Sequence, residues 1–149
     1  MNTRIITFHR VFACQPEPLY RAFTEIEALV KWLPPHGFYA KVYKWEPRVG
    51  GEYKMAFLYI GSGKGDSFGG KFLVLVPNQK IVHTDSFDNP DLPGEMRTTI
   101  ELGPVAVGTE IHIKQEGIPI NIPLEACTLG WQQSLNLLQN FVEANIPGL

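Results

Sequence analysis

Cysteine is scarce: Cys14 and Cys127 stand at opposite ends of 149 residues. Two such distant thiols match neither a metal-ligand spacing nor a disulfide-dense scaffold, so they read as free, buried side chains. No apolar run approaches the roughly 18 residues of a membrane span. A basic stretch followed by an apolar core, the mark of a signal peptide, is missing from the N-terminus as well. A cytoplasmic, soluble protein without membrane insertion is the expectation. No charge predominates either: 13 Lys and Arg face 15 Asp and Glu. The field that draws in nucleic acid is therefore excluded. Repeats and linkers are lacking, and one domain over residues 1–149 is expected. One absence is local. Lys114 is the last cationic side chain, and residues 115–149 carry only Glu116, Glu125 and Glu143.

What is present changes period along the chain. From Arg4 to Ala13, Ile6, Phe8 and Phe12 alternate with polar neighbours as in a half-buried strand. Pro16 and Pro18 pre-set a first helical turn, and Leu19, Ala22 and Phe23 give it an apolar face. Thr24 with Glu27 forms a capping-box pattern for a second short helix that Pro34 and Pro35 stop. Six strand-like runs follow: Phe38 to Trp45, Glu52 to Ile60, Phe68 to Val76, Lys80 to Phe87, Met96 to Leu102 and Thr109 to Gln115. The turns between them are too short for parallel crossovers and imply an antiparallel meander. The last segment returns to helical spacing, with Leu124, Cys127, Thr128, Trp131, Leu135, Leu138 and Val142 on one stripe and amides largely opposite. Asn121 and Pro123 mark its start. An α+β domain results, with about seven strands curved against one long C-terminal helix and two short helices at the far end. A pocket would form between them.

Several segments, in this order, carry a resemblance. They are Pro16 to Thr24, Lys31-Trp32, the hairpin Trp45 to Tyr53 with Gly50-Gly51, Gly70-Lys71-Phe72, Lys80 to Thr84, Gly108 to Ile111 and Gly130-Trp131. Over nearly its whole length the chain resembles the START-related (SRPBCC) helix-grip superfamily. Within it, the chain is similar to the family named for the C-terminal domain of the activator of heat-shock protein 90 ATPase. Glu46 and Val49 replace the Asp and Pro of the family's usual hairpin, and Val74 and Asp85 depart from its common residues. The resemblance implies a cavity for a small hydrophobic or amphipathic molecule. Some superfamily members are cyclases or hydrolases on such ligands, and the family name implies a chaperone partner and a role in the stress response.

The family register implies inward faces: Tyr53, Met55 and Phe57; Phe72, Val74 and Val76; Met96, Thr98, Ile100 and Leu102; Thr109, Ile111, Ile113 and Gln115. With Trp32, His83, Trp131 and Leu135, the candidate ligand-binding set is Trp32, Tyr53, Met55, Phe57, Val74, His83, Thr98, Gln115, Trp131 and Leu135. A few polar groups in an apolar wall would orient a ligand.

His83 with Asp85 is the candidate catalytic pair for proton transfer, or else His83 is a satisfied rim histidine. Trp32 and Trp131 either line the cavity or pack the core. Gln115 and Thr98 either meet the ligand or bond each other across strands. Glu46 and Arg48 contact a ligand or brace their hairpin. His9, His36 and His112 have no partner in the sequence and read as surface.

Gly65-Asp66-Ser67-Phe68-Gly69 fits the Gly-x-Ser-x-Gly pattern, but a glycine-rich loop precedes it and a strand follows, the wrong context for a nucleophile elbow. Lys64 is followed by Gly65, so Gly61 to Gly65 is no phosphate loop. Asp85, Asp88 and Asp91 lack calcium-loop spacing, and no His, Cys and carboxylate cluster suggests zinc. Neither metal nor organic cofactor is expected. Three readings remain: a small-molecule binding module, a cyclase-like or hydrolase-like enzyme, and a co-chaperone-type interaction module. The amide-rich, nearly uncharged outer stripe of the long helix also suggests a homodimer contact.

Overall fold

A computed structural model describes residues 4–148. Strand β1 (Ile5–Phe12) leads into α1 (Pro16–Thr24) and α2 (Ile26–Leu29). Then come β2 (Phe38–Trp45), β3 (Glu52–Tyr59), β4 (Ser67–Val76), β5 (Lys80–Phe87), β6 (Met96–Val105), β7 (Gly108–Glu116) and α3 (Leu124–Val142). The element order is the one read from the sequence. Seven antiparallel strands form one curled half-barrel sheet in the order β1-β7-β6-β5-β4-β3-β2. Consecutive hairpins account for every neighbour except β1, which closes beside β7.

Local chemistry sets the element ends. The two prolines open α1, which buries Leu19, Ala22 and Phe23. Thr24 does not open α2 as its capping pattern suggested: its hydroxyl donates to the Tyr20 carbonyl at 3.1 Å and so closes α1. Glu25 precedes α2 without a side-chain cap. Asn121 likewise leaves the start of α3 to Pro123, and donates instead to the Asp91 carbonyl at 2.7 Å. Glu46 braces its hairpin, accepting from the Glu52 backbone N–H at 3.0 Å and pairing with Arg48 at 3.4 Å.

Two strands slip register, β2 between Val42 and Lys44 and β4 between Phe72 and Val74, and the slip in β4 bears on the predicted wall. Phe72 stands opposite His83 but Val74 opposite Val82, so the register slips between them. A bulge adds a residue and breaks the two-residue alternation beyond it. Phe72 is buried and Leu75 packs against the core, while Val76 is turned outward.

The main core gathers Phe12, Leu19, Trp32, Phe72, Ile81, Ile100, Ile111, Leu135 and Leu138 between the sheet and the helices. Helix α3 is fastened to its surroundings by polar contacts as well. Ser134 donates to the Leu33 carbonyl at 2.6 Å, Gln133 accepts from the His36 backbone at 3.1 Å, and Asn136 accepts from Arg10 at 2.8 Å. Part of the amide-rich stripe is thus engaged within the chain. Among the described residues no helix is long and apolar enough to cross a membrane.

Candidate functional site

A cavity of about 240 Å³ lies between α3, the end of α2 and the inner face of β3 to β7. Its walls are apolar: Phe23, Leu29, Leu33, Met55, Phe57, Phe68, Met96 and Ile100 among others. Strand alternation brings Tyr53, His83, Asp85, Thr98 and Gln115 to one side of it, and α3 adds Trp131.

These polar groups form one directed chain. Trp131 Nε1 donates to Gln115 Oε1 at 3.1 Å, and Gln115 Nε2 donates to Thr98 Oγ1 at 3.2 Å. The Thr98 hydroxyl then donates to Asp85 Oδ2 at 2.6 Å. From the other side the Tyr53 hydroxyl donates to Asp85 Oδ1. His83 Nδ1 lies 2.9 Å from that same oxygen, yet it is buried and its N–H is not aligned on any acceptor. The His83–Asp85 contact is therefore chiefly one of charge.

Tyr53 reaches β5 from β3 because Gly70 stands opposite it on the intervening strand. A Cβ at Gly70 would lie 1.8 Å from the Thr84 carbonyl oxygen, so only glycine permits so close an approach. The His83 ring packs edge-on to Tyr53 and Phe72, at 5.5 and 6.0 Å between centroids.

Burial and charge oppose each other at His83. Removal from water disfavours the imidazolium, but the nearby Asp85 charge carries the pKa above the ordinary histidine value. At Tyr53 burial first, then the Asp85 charge and the hydrogen bond, push the phenol well above its usual range. Burial also raises the thiol of Cys127, which lines the cavity. Ser134 is committed to the Leu33 carbonyl. Neither Ser134 nor Cys127 is thus set up as a nucleophile. The corner can hold or move a proton at His83 and can bond one polar group of a guest.

Of the candidate residues, Tyr53, Met55, Phe57, His83, Asp85, Thr98, Gln115 and Trp131 line the cavity. Three others are corrected. Trp32 is wholly buried, donates to the Ala22 carbonyl at 2.9 Å and packs edge-to-face on Phe23 at 4.7 Å, so it is core. Leu135 is also core, 1% exposed and absent from the cavity lining. Val74 is removed from the wall by the β4 bulge. Sequence reasoning missed Ala126, Gly130 and Ser134, which line the cavity at four-residue spacing. Small residues in that spacing beside the large apolar stripe were the available signal. Ser67 is half-buried, donates to Asp88 at 2.6 Å and does not line the cavity.

Fold and cavity together define a helix-grip protein of the START-like class. The chain belongs to the family described as Activator of Hsp90 ATPase homolog 1-like protein, whose model matches residues 13–143. Among solved structures it is similar to protein CV1439 from Chromobacterium violaceum, with 52% identity, a TM-score of 0.93, and coverage of 95% of this chain and 98% of that one. A protein from Rhodobacter sphaeroides follows at 23% identity and TM-score 0.82, covering 92% and 90% of the two chains. NE0264 from Nitrosomonas europaea, at 21% identity, has a TM-score of 0.77 and covers 93% and 94%. The last two are likenesses of fold. No functionally curated protein matches the chain.

Proposed function

We propose that the protein binds a compact, mostly apolar molecule bearing one hydrogen-bonding group. The observation that carries this reading is the cavity itself: apolar walls with polar groups gathered at one corner, all directed at Asp85. The apolar body of the guest would displace water from the aromatic and aliphatic wall. Its polar group would meet the edge of the His83 ring, which keeps about a fifth of its side-chain surface accessible. At about 240 Å³ the space lies just below the usual range for ligand pockets, which favours a small ring system over a long acyl chain. The nearly uncharged α3 favours a neutral or weakly anionic guest.

The test is to fill the cavity. Gly130 lines it, and a Cβ there would meet nothing within 4 Å. Gly130→Leu should leave the fold intact and add roughly 0.5–1 kcal/mol through helix propensity. It should also abolish the small-molecule adduct that native mass spectrometry detects on protein purified from its host, and the thermal shift given by that compound. An adduct retained by the variant would overturn the proposal.

The 2.9 Å approach of His83 to Asp85 favours a second reading, proton transfer to or from the bound molecule. The retained compound separates the two. A binding module returns it unchanged, whereas an enzyme turns it over with a rate lost in His83→Gln. The chaperone activity in the family's description needs no cavity and gains no support from this corner.

A further inference from the structure

We propose that His9, Glu110 and His112 form a binding site for one divalent transition-metal ion, Zn²⁺ or its near equivalents, on the outer face of the sheet. Strand pairing assembles it. His9 on β1 stands directly opposite His112 on β7, and Glu110 shares the outward face of β7 two residues away. The rings lie 4.5 Å apart between centroids. His9 Nε2 is 2.8 Å and His112 Nε2 3.1 Å from the same oxygen, Glu110 Oε1. All three donor atoms fall within 4.8 Å of one another.

The spacing suits a small ion. Bonds of 2.0–2.1 Å in a tetrahedral site put neighbouring ligand atoms about 3.3 Å apart, so the two histidine–carboxylate separations need to open by only a few tenths of an ångström, and the two ring nitrogens lie within 4.8 Å of each other. Two imidazoles and a carboxylate are also the donor set that zinc, nickel and copper favour over magnesium or calcium. Both rings already present the same nitrogen to one point. Glu101 stands opposite His112 on β6 and adds negative charge beside the site, while the ammonium of Lys114 is drawn off by Glu116 at 3.8 Å. Three protein ligands leave a fourth position for water.

Isothermal titration of tag-free protein with Zn²⁺ tests the site. One ion per chain is expected, with His9→Ala and His112→Ala each weakening binding roughly tenfold or more. Zn²⁺ should raise the thermal midpoint of the parent and leave that of the double variant unmoved. Both histidine side chains are exposed, so metal-free midpoints of the variants should match the parent and certify their folding. Cys14→Ser with Cys127→Ser should bind as the parent does. The proposal is overturned if no saturable one-to-one binding is seen, if binding survives in the double histidine variant, if it disappears with the cysteines, or if the ion is shared between two chains.

Discussion

On one sheet, histidine meets carboxylate at two places. His83 and Asp85 do so at 2.9 Å inside the cavity, His9 and Glu110 at 2.8 Å on the outer face. The distances barely differ; the surroundings differ completely. The Asp85 side chain is 7% exposed, and those of His9 and His112 are 51% and 57% exposed. Inside, burial raises the cost of leaving a polar group without a partner in the protein. Outside, water and salt solvate whichever group loses its partner. The inner pair consequently lies in a buried group of six residues with Tyr53, Thr98, Gln115 and Trp131, while the outer trio is joined by two exposed hydrogen bonds to Glu110 that an ion can replace.

The largest consequence of that contrast is expected at Asp85. Asp85→Ala leaves the Tyr53 and Thr98 hydroxyls without their acceptor and His83 without its counter-charge. Removing one partner from a buried charged network costs about 3–5 kcal/mol, and urea unfolding should show a loss of that order. A loss below about 1 kcal/mol would mean that water reaches the corner, and the distinction between inner and outer pairs would collapse.

How far this was legible in the sequence follows the same division. Period-two alternation and short turns gave every strand, because an apolar inner face and a solvated outer face leave a strong imprint on order. Tyr53, Met55, Phe57, Thr98 and Gln115 were placed on the inner wall by the family register extended by that alternation, and they line the cavity. Val74 failed because a bulge has no compositional mark in Phe72-Leu73-Val74-Leu75, where every residue is apolar. Trp32 and Leu135 failed for another reason. Facing inward and facing a void are the same event for periodicity, and only packing decides between them. The chain of bonds from Trp131 to Asp85 joins four elements, α3, β7, β6 and β5, so pairwise spacing exposed only its Gln115–Thr98 link. His9 and the pair Glu110 and His112 are brought together solely by the closure of β1 onto β7. A search for ligands at short spacing passes over such a cluster.

A smaller effect is expected from pH. The His83 pKa is raised on folding, above an unfolded value near 6.5, so its protonated form is favoured in the folded state. The stability it contributes is fully present below the unfolded pKa and disappears as pH rises through the folded value. The stability difference between the parent and His83→Gln should therefore be greatest in mildly acid solution and shrink as pH is raised from about 6.5 upward. Denaturation midpoints collected across that interval measure it. A difference that grew with pH would show that desolvation, not Asp85, controls the ring.

The smallest effect is expected on the outer face, and it sharpens the contrast most. Glu110→Gln keeps the size of the side chain and one acceptor oxygen but removes the charge that His9 and His112 share. Because all three groups are solvated, the metal-free thermal midpoint should stay within error of the parent. With Zn²⁺ present the same substitution should lower the midpoint relative to the parent, since it removes a ligand without disturbing either ring. A metal-free loss comparable to that of Asp85→Ala would instead make the outer trio a structural clasp for the edge strand β1. The two histidine–carboxylate contacts would then differ in degree of exposure but not in what they do.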